Sequence, residues 1–74
     1  VTNTEIGALV RVARERAGYK TRYAFCQATG ISAGQLSLIE RGVNSPTIST
    51  LERIMDAIGW EVRVEFRPVR RKKK

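Results

Sequence analysis

The side chains of this chain that can do chemistry are seven carboxylates, fourteen lysines and arginines, one thiol at Cys26, and scattered hydroxyls and amides. Histidine is absent, which removes the commonest general acid–base. A single cysteine makes neither an intramolecular disulfide nor a multi-thiolate zinc site. Glu5, Glu15, Glu52, Asp56, Glu61 and Glu65 sit at spacings that favour exposure or pairing, with no nucleophile motif beside them. We expect no enzyme, no metal and no cofactor. What remains is recognition. The net charge is +7, and Arg70, Arg71, Lys72, Lys73 and Lys74 supply five of those charges, leaving +2 for residues 1–69. Such a balance implies a polyanionic partner, either nucleic acid or an anionic membrane surface. The membrane is disfavoured, because no amphipathic stretch adjoins the tail and no apolar run nears the ~18 residues of a span.

The elements that must position this chemistry follow from caps and periodicity. Thr2-Asn3-Thr4-Glu5 can form a capping box, and Ile6, Leu9, Val10, Ala13 and Ala17 recur at helical spacing. The first helix therefore runs from Thr2 to Ala17 and stops at Gly18. Thr21 caps a second, short helix to about Thr29, with Phe25 and Ala28 inward and Gly30 closing it. Ser32 and Gln35 form a second capping-box pair, and the third helix reaches Arg41 with Leu36 and Ile39 buried. After a loop at Val43–Pro46, Thr47 caps a fourth helix through Ile58, carrying Ile48, Leu51, Ile54, Met55 and Ile58. The period then changes to two: Trp60, Val62, Val64 and Phe66 alternate with Glu61, Arg63, Glu65 and Arg67, a strand ended by Pro68. This divides the chain into a helical domain at 1–59, a strand at 60–68 and a basic tail at 69–74, expected to be disordered.

Two short helices joined tightly through Gly30 are held at a steep angle and cannot bury their own apolar stripes. Helices one and four must close the core, which leaves the third helix one free face. With Leu36 and Ile39 inward, a 100° step puts Gly34, Leu38 and Arg41 opposite, Ser37 beside them, and Ala33 and Gln35 on the flank. Small side chains let a helix lie close to another surface, and its N-terminal amides can meet phosphate or base edges.

Residues 6–59 resemble the Cro/CI-type, lambda-repressor-like helix-turn-helix family. The resemblance is carried by Phe25-Cys26, Gly30-Ile31-Ser32, Leu36-Ser37, Ile39-Glu40-Arg41-Gly42, Pro46, Thr50-Leu51, Ile54 and Ala57-Ile58-Gly59. It implies a mostly α fold of four or five helices whose third helix enters the major groove of double-stranded DNA. It further implies a cytoplasmic regulator, bacterial, archaeal or phage-encoded, in keeping with a lone cysteine and a charge-interrupted first helix that is no signal peptide. The matching positions make Thr21, Arg22, Ser32, Ala33, Gly34, Gln35, Ser37, Leu38, Arg41, Asn44 and Thr47 the candidate DNA-binding residues. Ala33, Gly34 and Leu38 can touch thymine methyls but not hydrogen-bond to bases, so Gln35 and Asn44 carry the donor–acceptor readout. Arg41 reaches phosphate or guanine, while Ser37 and the amides of Asn44–Thr47 suit phosphate. Arg22 stands where the family often has Gln, and it suits phosphate. Arg14 and Glu40 match a family ion pair between helices one and three. Cys26 reads as a packing residue.

The lone strand has nothing in this chain to pair with. A second copy about a two-fold axis solves this, with Trp60, Val62, Val64 and Phe66 as the dimer interface. An antiparallel ladder centred on Val64 sets Val62 against Phe66, Glu61 against Arg67 and Arg63 against Glu65. Centring on Arg63 would set like charges together. The expected function is a repressor binding a pseudo-palindromic operator as a homodimer. The alternative is the antitoxin of a toxin–antitoxin pair, because some antitoxins of the family carry such a C-terminal strand; a toxin protein is then a further partner. For the tail, DNA contact and plain solvation remain equally open.

Overall fold

The computed structural model of the chain describes residues 1–69, and the basic run Arg70–Lys74 lies outside the described residues. Four helices follow one another: α1 (Asn3–Arg16), α2 (Arg22–Thr29), α3 (Ala33–Glu40) and α4 (Ile48–Ala57). Each begins on a hydroxyl residue in extended conformation whose side chain accepts the amide three residues on: Thr2 from Glu5, Thr21 from Ala24, Ser32 from Gln35, Thr47 from Thr50. Each such cap contributes about 1 kcal/mol by satisfying a helix-end donor. At Thr2 the box is reciprocal, since the Thr2 amide also donates to Glu5 Oε1 at 2.7 Å. At Ser32 the Oγ–amide half forms at 3.1 Å.

The helices close on Val10, Ala13, Phe25, Ile31, Leu36, Ile39, Ile54 and Met55. Around them pack the partly buried Ile6, Tyr19, Cys26, Leu51, Ile58 and Val62. Tyr19 meets Phe25 edge to face at 5.7 Å between ring centres, a favourable quadrupole arrangement. α3 lies in the middle, packed against α1 and α2, while α4 packs on α2. The α1–α3 approach is unusually close because Gly7 has no side chain. A Cβ there would sit 2.7 Å from the Glu40 carbonyl oxygen and would also strike that of Ile39. That contact needs glycine on steric grounds alone, in the middle of a helix where glycine is otherwise unfavourable.

Several expectations are corrected. Leu9 and Ala28 are exposed, Leu9 by 66%. α3 ends at Glu40 with Arg41 as its cap, and α4 ends at Ala57 with Ile58 as its cap. There is no strand among the described residues, and residues 60–69 carry no regular element. The reason is that a ladder needs a partner, and one chain supplies none. Two ion pairs lie along the segment. Glu61 pairs with Arg63 at 2.9 Å and Glu65 with Arg67 at 3.5 Å, all four side chains exposed. Val62 packs against the core, but Trp60, Val64 and Phe66 stay exposed by 37%, 55% and 92%. As an interface set, Trp60, Val62, Val64 and Phe66 is therefore unequal within a single chain.

Candidate nucleic-acid interface

α2 and α3 meet through Gly30, which takes a left-handed conformation at φ +79° and donates its amide to the Cys26 carbonyl. Ile31 then drops into the core, and Ser32 restarts the chain as a cap. Ser32, Ala33, Gly34 and Gln35 are all exposed at the start of α3, so its first amides face outward on a surface without bulk. Ser37 and Leu38 are half-buried, and Arg41, Asn44 and Thr47 are exposed. Leu38 thus lies less openly than a face opposite the core requires. The loop after α3 folds back on it, with the Val43 and Asn44 amides both donating to the Leu38 carbonyl, at 2.9 and 3.3 Å. Among the described residues no side-chain hydrogen bond engages Gln35, Arg41 or Asn44, which leaves these groups available to a ligand.

The capping hydroxyls differ from one another. Thr47 Oγ1 accepts the Thr50 amide and also donates to Thr50 Oγ1 at 2.9 Å, so its proton is occupied and only its backbone can serve a phosphate. Thr21 and Ser32 accept one amide each and keep a hydroxyl proton to donate.

Arg22 and Glu40 are where sequence reasoning fell short. Glu40 is buried, and its two oxygens are both taken: Oε2 by Arg14 Nε at 2.9 Å and Oε1 by Arg22 Nε at 3.0 Å. Arg14 is buried as well and donates from Nη1 to the Tyr19 carbonyl at 2.9 Å. The Arg14–Glu40 pair is thus present as the family resemblance implied. The Arg22 arm was not anticipated, and it ties the start of α2 to the end of α3 beside Arg41. Lys20 and Tyr23 stand beside this cluster in the sequence. Both are exposed, Tyr23 by 72%, and they flank Thr21 and Arg22. Beside this cluster, burial and the neighbouring Glu40 carboxylate push the Cys26 thiol above its ordinary pKa, so at neutral pH it is a packing group and not a thiolate nucleophile.

No group of three or more potential metal ligands occurs among the described residues, and no helix is long and apolar enough to cross a membrane. A family model for a helix-turn-helix domain matches residues 5–67. The chain belongs to the helix-turn-helix domain family. Neither a curated protein nor a solved structure matches it in the corresponding comparisons. As a helix-turn-helix domain it is a DNA-binding domain of the regulator class, in a family that is typically non-enzymatic. The match begins inside α1, takes in α2, α3 and α4, and continues to Arg67.

Proposed function

We propose that this helix-turn-helix domain is of the Cro/CI type and acts as a sequence-specific repressor, binding a pseudo-palindromic operator as a homodimer in the cytoplasm. One observation carries the DNA reading: the first turn of α3 is uniformly exposed and almost without bulk, at Ser32, Ala33, Gly34 and Gln35. Such an end can enter a major groove, where Gln35 meets base edges and Ala33, Gly34 and Leu38 meet thymine methyls. Around it Thr21, Arg22, Ser37 and Arg41, with the Thr47 amide, hold the phosphates.

The homodimer is supported by the segment 60–67. Its backbone has no ladder partner, and Trp60, Val64 and Phe66 lie open. A second copy related by a two-fold at Val64 would cover them and match every charge. Two copies joined this way would set their α3 helices for successive major-groove turns, about 34 Å apart. The same open segment would serve a toxin partner equally well in an antitoxin.

Selection of bound duplexes from a random pool tests the reading. The expected result is two inverted half-sites about one helical turn apart, with sedimentation showing a dimer at micromolar concentration. Enrichment of a single unrepeated half-site by a monomer would overturn the dimer, and no enrichment would overturn sequence-specific binding. Co-purification of a second protein on residues 60–67 would favour the antitoxin.

A further inference from the structure

Two arginines share the Glu40 carboxylate and use it differently. Arg14 is buried and spends Nε on Glu40 and Nη1 on the Tyr19 carbonyl. Arg22 spends Nε on Glu40 while its side chain remains 45% exposed. No hydrogen bond among the described residues engages either of its terminal nitrogens. The carboxylate itself is 1% exposed and sits on α3, so it cannot follow Arg22 outward. Two guanidiniums on one carboxylate leave a surplus of one positive charge, and its open end is the Arg22 tip.

We propose that Glu40 is a positioning residue for the DNA backbone. It grips Arg22 at Nε and presents the two terminal nitrogens as a fixed, two-pronged donor to a phosphate at the start of α2. The inference rests on the DNA-binding reading and adds to it how this contact is prepared before DNA arrives. The device needs a guanidinium, whose planar fork carries donors along one edge and at its end together. An ammonium has one nitrogen. Beside a buried carboxylate it stays on Glu40 and leaves the phosphate without a partner. A lysine at position 22 therefore keeps the charge and loses the contact.

The test measures binding of the full chain to a random-sequence duplex across a salt series, for wild type, R22Q, R22K and R22K/E40Q, each with its melting temperature. The expected slope of log K against log salt falls by about 0.9 in R22Q, the loss of one phosphate contact. R22K falls by nearly the same amount while melting close to wild type. R22K/E40Q regains slope, because the neutral amide no longer retains the ammonium. A merely structural Glu40 would not restore the slope. R22K with wild-type slope and affinity overturns the proposal, as does a folded R22K/E40Q no better than R22K, and R22K decides alone if the double variant does not fold. A wild type without salt-dependent duplex binding is a different failure: it overturns the DNA reading and this inference with it.

Discussion

The junction of α1, α2 and α3 and the segment from Trp60 to Arg67 handle unpaired groups in opposite ways. At the junction every buried demand is met inside the chain, and only the exposed tip of Arg22 is left open. Glu40 is buried yet doubly paired, Arg14 donates to both a carboxylate and a carbonyl, and no buried polar side-chain atom among the described residues lacks a partner. In the C-terminal segment the demands are left open, with apolar side chains exposed and backbone outside any ladder. The first pattern fixes the angle at which α3 is presented. The second is what the proposed dimer would use, with its partner in another molecule. Stability and assembly are thus assigned to separate stretches, and substitutions in one should leave the other largely untouched.

The strongest way to break that separation is at the junction. Arg14→Met leaves the buried Glu40 carboxylate with one half-exposed partner, and it should cost about 3–5 kcal/mol of unfolding free energy. Urea denaturation of wild type and variant reads this directly, and a loss below about 1 kcal/mol would mean the pair is not structurally important. Next, Val64→Lys places two like charges at the proposed two-fold. It should dissociate the dimer in sedimentation and lower operator affinity by about 100-fold, roughly 2.7 kcal/mol, while the helical circular-dichroism signal is retained. A Val64→Lys protein that stays dimeric at micromolar concentration refutes that register. Gln35→Ala touches neither region and should relax one base position by roughly 1–3 kcal/mol, visible as a single flattened column in the selected sequence; an unchanged profile removes Gln35 from base readout. The smallest effect concerns Cys26. Its thiol is held above the ordinary pKa by burial and by Glu40. The folded state therefore keeps the proton longer than the unfolded one, and stability falls as pH rises past the ordinary thiol range. Alkylation at neutral pH should be slower than for the unfolded chain, and equal rates would place the thiol in open solvent.

Much of the fold is legible because helix ends are local. Thr2, Thr21, Ser32 and Thr47 each declare a start within three residues, and all four starts are found there. Side-chain burial is less local. On α1 the buried residues are Gly7, Val10, Ala13 and Arg14, so the inward stripe is turned toward Gly7 and Arg14, and Leu9 falls off its edge. Apolar periodicity cannot show this, because the turn is set by the close passage of α3 at a glycine and by a charged residue whose partner is 26 positions away. The exposed start of α3 was readable from residue size alone. Arg22's attachment to Glu40 was not, because one residue on helix two and one on helix three become neighbours only after packing. The alternation of Trp60–Arg67 was legible, but the strand expected from it is not found among the described residues, because a ladder needs a partner that alternation alone does not supply.

α3 is eight residues long, which at 1.5 Å per residue is about 12 Å. In the major groove this reach spans only three or four base pairs. A word of four letters recurs by chance about once in 250 positions, and a genome offers roughly 10⁶–10⁹ competing sites. One such helix, however well its contacts are made, holds too little information to name an address. A second helix in fixed register lengthens the word to eight letters and thins the chance matches by a further factor of about 250. The shortness of α3 would therefore make the proposed pairing a matter of addressing before it is a matter of binding strength.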